Sequence, residues 1–156
     1  MDVFDSNIWL HGCLYRNSEP AQLVTEAARG ERDVTVSPYI YSEVINRFRN
    51  PKGRHDFGCT EEAMNLFTDL VVGSETITVP RHKAVKEVDV NELPREPEYQ
   101  LLARLLSIQA KDAPVVADAW GLGRKVDLYT CDLELAECDL SSHGIGIVTT
   151  HHVTPP

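Results

Sequence analysis

Short β-branched runs alternate with longer stretches of helical period along this chain, and that alternation constrains the fold more than any other feature. Residues 3–4, 34–36, 77–79, 126–131 and 145–148 read as five short strands. Between them, Ile8, Trp9, Cys13 and Leu14 give one helical face, and Leu23, Val24, Ala27 and Ala28 give another, stopped by Gly30. Ser37 and Pro38 cap and start a third helix with Ile40, Tyr41, Val44, Ile45 and Phe48 inward. Thr60 is expected to cap a fourth, with Ala63, Leu66, Phe67, Leu70 and Val71 as its buried face and Gly73 as its end. Leu101, Leu102, Leu105 and Leu106 mark a helix over 98–108, and Val115, Val116 and Ala119 mark one over 112–122. Strands separated by whole helices imply parallel βαβ units. The expectation is one three-layer α/β/α domain over 1–150 with a central, mainly parallel sheet, and a tail over 151–156.

Composition adds exclusions. At 156 residues, 42% hydrophobic and 25% charged, the chain can bury a real core. No stretch approaches the roughly 20 apolar residues of a membrane span. Asp2 and Asp5 stand where a secretory leader carries basic residues, so the reading is cytoplasmic. A net charge of −9 argues against a broadly basic nucleic-acid face but allows a local patch. The four cysteines form no CxxC pair and the six histidines no HExxH motif, so the cysteines read as small buried apolar residues.

Four acids recur at element ends. Asp5 and Asp132 each close a strand, Glu43 lies in the helix after the second strand, and Asp112 starts the helix leading into the fourth. Singly, each has a structural reading. Asp5, Asp112 and Asp132 suit helix caps, and Glu43 precedes Arg47 by one turn, as in a helical ion pair. Together they would ring one edge of a parallel sheet, where open α/β folds bind ligands. Clustered carboxylates raise one another's pKa. A divalent cation relieves that repulsion, and an all-oxygen set suits Mg²⁺ or Mn²⁺.

The segments VFDSN (3–7), YSEVINRF (41–48), KDAPVVADA (111–119) and YTCDLEL (129–135), in this order and spacing, resemble the PIN-domain nucleases. The likeness is greatest to the small VapC-like toxins of prokaryotic toxin–antitoxin pairs. The resemblance implies a PIN-like fold and a Mg²⁺- or Mn²⁺-dependent endoribonuclease, a hydrolase of RNA phosphodiesters. It makes Asp5, Glu43, Asp112 and Asp132 the catalytic and metal-binding acids, with Asn7 and Thr130 at supporting polar positions. Asp118 is a rival for the third position. Six residues at about 100° each turn it roughly 120° from Asp112, so Asp112 is preferred and Asp118 is exposed or supporting. The implied partners are an RNA substrate, an antitoxin and a second copy of the chain, for which Ile8, Trp9 and Leu10 offer apolar surface if they are not core. Arg47, Arg49, Lys52 and Arg54 form a candidate phosphate-contacting patch, or simply a solvated helix end. The rival function is a PIN-like domain that binds RNA or a protein partner without cutting.

Overall fold

A computed structural model describes residues 1–51, 57–79 and 82–156. Strands β1 (Asp2–Phe4), β2 (Val34–Thr35), β3 (Ile77–Thr78), β4 (Val126–Thr130) and β5 (Val148–His152) form one sheet in the order β3-β2-β1-β4-β5. Every neighbouring pair is parallel. Each connection must therefore cross over, and helices supply the crossings. These are α1 (Ser6–Leu14), α2 (Glu19–Ala28), α3 (Pro38–Arg49), α4 (Phe57–Gly73), α5 (His82–Lys86), α6 (Pro97–Leu106), α7 (Ala113–Gly121) and α8 (Leu133–Ala136). The architecture is an all-parallel α/β sheet flanked by helices, as the alternation predicts.

The core explains why the strands need so few residues. Val3, Phe4, Val126 and Leu128 are all at most 2% exposed, as strands covered on both faces require. Phe4 packs on Trp9 at 5.3 Å between ring centroids, and Trp9 packs edge-on to Phe67 at 5.4 Å. One aromatic run thus joins β1, α1 and α4. Ile8 and Trp9 are fully buried and Leu10 is 8% exposed, so the apolar surface suggested for a dimer is core.

Topology places the crevice. From β1 the chain travels outward to β2 and β3, then returns to lay β4 on the other side of β1. Strand order reverses there, and loops diverge from the C-terminal ends of β1 and β4 to leave a cleft.

Several local expectations change. The fifth strand begins at Val148 and runs to His152, and Val153 is buried with its N–H bonded to Thr130 O at 2.9 Å. Residues 151–153 therefore extend the sheet and are not a tail. Helix α4 starts at Phe57, which leaves Thr60 inside the helix and not at its cap. Leu66, expected on the buried face of α4, is 44% exposed, while Ala63 and Phe67 face in; on α6, Leu101 and Leu105 are exposed and Ala103 and Leu106 are buried.

Candidate active site

Asp5 is the first residue beyond β1. Its N–H still bonds to Tyr129 O of β4 at 2.9 Å, so strand pairing fixes where the carboxylate starts. Its Oδ1 accepts from the Ser6 N–H at 2.7 Å, capping α1. Its Oδ2 accepts from Asn7 Nδ2 at 2.7 Å and from Thr130 Oγ1 at 2.8 Å. Asn7 also donates to Thr130 Oγ1 at 3.2 Å and accepts from the Cys131 N–H at 2.9 Å. Thr130, fully buried, accepts from the Asp132 N–H at 3.0 Å. Side chains thus lock the ends of β1 and β4 together. Asn7 and Thr130, expected as supports, are the groups that hold Asp5.

Glu43 enters from the second turn of α3, and Asp112 from just before α7. With Asp5 they line one cavity of about 160 Å³, which Ser6, Asn7, Arg47 and Lys111 also border. Asp112 occupies an N-cap position yet makes no capping hydrogen bond. Pro114 explains part of this, because the second helical residue has no N–H to attract the carboxylate. Asp112 is 4% exposed, and its Oδ2 is buried without a hydrogen-bond partner. Such an orphaned acceptor is uncommon in a buried setting.

Asp132 stands at the rim. Its Oδ1 caps α8, accepting from Glu134 N at 3.0 Å and Leu135 N at 3.3 Å. Its Oδ2 lies 4.0 Å from Lys111 Nζ. It does not line the shared cavity, but its charge reaches both Asp5 and Asp112.

The electrostatics follow from burial and crowding. Burial raises the Asp5 pKa against the lowering effect of its Thr130 and Ser6 hydrogen bonds. Burial and then the Asp5 charge raise Glu43, which Ser6, Lys111 and Arg47 partly offset. Asp112 is pushed up to about 7 by burial first and by the Asp5 charge second. The Tyr39 phenol, one turn before Glu43, is raised by burial and by the neighbouring acids, and so stays un-ionised.

Asp118 lies elsewhere. It lines a separate cavity of about 380 Å³ with Thr35, Ser37 and Thr78, beyond the C-terminal ends of β2 and β3. Burial raises its pKa, Ser37 lowers it, and its Oδ2 is buried without a partner. It is neither exposed nor a support of the acid cavity, as the turn of the helix away from Asp112 requires. Of the expected basic patch, Arg47 borders the acid cavity and Arg49 is exposed at the end of α3. Lys52 and Arg54 lie outside the described residues. Burial pushes the Cys131 thiol up to about 12, so it is protonated at neutral pH.

Three further residues of the site, Ser6, Tyr39 and Lys111, do not stand out in sequence. Each carries a faint signal there: Ser6 sits between two site residues, Tyr39 precedes Glu43 by four, and Lys111 abuts Asp112.

Among the described residues, no three histidine, cysteine or acidic side chains converge closely enough to hold a metal ion as they stand. In chemical kind the groups do fit a hard divalent cation. The donors are oxygens, and Asp112 Oδ2 is a buried acceptor that lacks a donor. No known family model matches the chain, and no curated protein matches it.

Proposed function

We propose that this chain is a Mg²⁺- or Mn²⁺-dependent endoribonuclease of PIN type, hydrolysing phosphodiester bonds of RNA. The observation that carries the reading is the gathering of Asp5, Glu43 and Asp112, from three different βα units, around one cavity beside the β1–β4 crevice. Asp132 stands at its rim. Acids raised by burial and by one another suit a site that takes up a cation. A bound Mg²⁺ or Mn²⁺ would neutralise charge building on the phosphate and make a water nucleophile available near neutral pH. Asp5, Glu43, Asp112 and Asp132 would hold it. Ser6, Asn7 and Thr130 fix the Asp5 carboxylate in place, and Arg47 offers a cation at the cavity border for an RNA phosphate. A toxin role, an antitoxin partner and a homodimer belong to the same proposal.

The test uses labelled single-stranded RNA with Mn²⁺ or with EDTA, beside Asp5→Asn. Cleavage that needs Mn²⁺ and is lost in the variant is expected; cleavage surviving EDTA or the substitution overturns the reading. The second reading is a domain that binds RNA or a protein without cutting. It is favoured by the absence, among the described residues, of a ready-made ligand set and by the full engagement of both Asp5 oxygens within the protein. RNA retained on the protein without cleavage in Mn²⁺ supports it.

A further inference from the structure

We propose that Lys111 is the resident counter-ion of the acid cavity, balancing its carboxylates until a divalent cation enters and displaces the ammonium. The inference rests on the metal-dependent reading above and concerns how the site is filled and emptied.

Position comes first. Lys111 immediately precedes Asp112, so the turn that delivers this buried acid also delivers a cation. Its backbone is tethered, because the Tyr39 hydroxyl donates to Lys111 O at 3.0 Å. Tyr39 belongs to α3, one turn before Glu43, so one helix fixes both the acid and the root of the lysine. The side chain itself is half exposed. A long stem carrying a compact, strongly hydrated charge can therefore swing between cavity and solvent without moving the backbone.

Contact geometry comes second. Lys111 borders the cavity shared by Asp5, Glu43 and Asp112, while its Nζ lies 4.0 Å from Asp132 Oδ2 at the rim. That distance is the outer limit of an ion pair, so the ammonium is shared among several acids and bound closely by none. Arg47 also borders the cavity, but its charge acts on Glu43, whereas the Lys111 charge favours the ionised forms of Asp5, Glu43 and Asp112 alike. A divalent cation among the same carboxylates would be repelled by this positive charge, so the two compete for the site.

The experiment compares wild type, Lys111→Met and Lys111→Arg by Mn²⁺ titration calorimetry and by urea denaturation in EDTA, all at pH 8. Lys111→Met is expected to bind Mn²⁺ roughly tenfold more tightly, because the competing charge is gone, and to unfold at lower urea in EDTA. Lys111→Arg keeps the charge and is expected to follow wild type in EDTA. Unchanged or weaker Mn²⁺ affinity in Lys111→Met, when wild type binds the ion, overturns this inference and leaves the nuclease reading standing. A lysine serving only as an RNA phosphate contact gives that same result, with RNA binding reduced. Absence of Mn²⁺ binding in wild type and both variants overturns the metal reading, and the inference falls with it.

Discussion

Asp112 is held in surroundings that oppose its charge. Its native pKa is raised from 3.8 to about 7, by burial and then by Asp5. A carboxyl raised on folding stays protonated in the native state where the unfolded chain has already released its proton. Its contribution to stability therefore falls as pH rises from about 4 through about 7, by roughly 1.4 kcal/mol for each pH unit crossed between those two values. Asp112→Asn removes that dependence while keeping the shape. In EDTA, the variant is expected to exceed wild type in urea stability at pH 8 by a few kcal/mol and to match it near pH 4. A gap that does not widen with pH would show that Asp112 is not held against its charge. Thr130 makes the opposite case. Its hydroxyl donates to Asp5 and accepts from Asn7 and the Asp132 N–H, all in a fully buried setting. Thr130→Val keeps volume but strands those partners, and a loss of about 1–3 kcal/mol in chemical denaturation is expected. Stability equal to wild type would mean that the network is dispensable.

At the scale of elements, α1, which carries Ser6 and Asn7, is pressed closely onto α2. Gly12 makes the approach possible: a Cβ there would meet Val24 Cγ2 at 2.6 Å and the Pro20 carbonyl oxygen at 2.9 Å. Backbone cannot yield as a side-chain tip can. Gly12→Ala should therefore destabilise by about 1–3 kcal/mol from overpacking, although alanine is the better helix former. A raised denaturation midpoint in this variant would refute the contact. The elements that sequence makes legible share a trait: their pattern reflects burial on a defined face. The strands β1, β2 and β4 are of this kind. The fifth strand reads too early in sequence because β5 is an edge strand, where polar Thr149, Thr150, His151 and His152 are tolerated and resemble a tail. Helical spacing identifies a leucine stripe on α6 but not which of its leucines are covered: Leu106 is buried, whereas Leu101 and Leu105 lie outward. Asp5, Asp112 and Asp132 are legible because each falls at an element boundary, whereas Glu43 lies within α3 and is legible through its segment YSEVINRF (41–48). Lys111 is not, since a lysine beside an acid looks in sequence like any solvated pair, and only folding brings the other carboxylates to it.

Across the whole molecule, strand order and charge act together. Reversal of the chain at β1 forces the loops after β1 and β4 apart, and the crevice so formed collects acids in a protein already at net charge −9. If the reading as a metal-dependent nuclease holds, folding and cation binding are linked, because an ion held by the native carboxylates stabilises that state by mass action, about 2.7 kcal/mol at one hundred times the dissociation constant. The linkage must depend on pH in a stated direction. Below about 7 Asp112 retains its proton, so the ion competes with protons and its effect shrinks; above 7 that proton is gone and the effect grows. Thermal unfolding of wild type should therefore shift upward with Mn²⁺ more at pH 8 than at pH 5.5, and Asp5→Asn should show little shift at either. Sodium chloride at matched ionic strength supplies the control, since screening relieves the general acid surplus without filling the cavity. An equal rise with sodium and with Mn²⁺, or a Mn²⁺ effect that persists in Asp5→Asn, would place the stabilisation in the surface charge of the molecule and remove the crevice from the account.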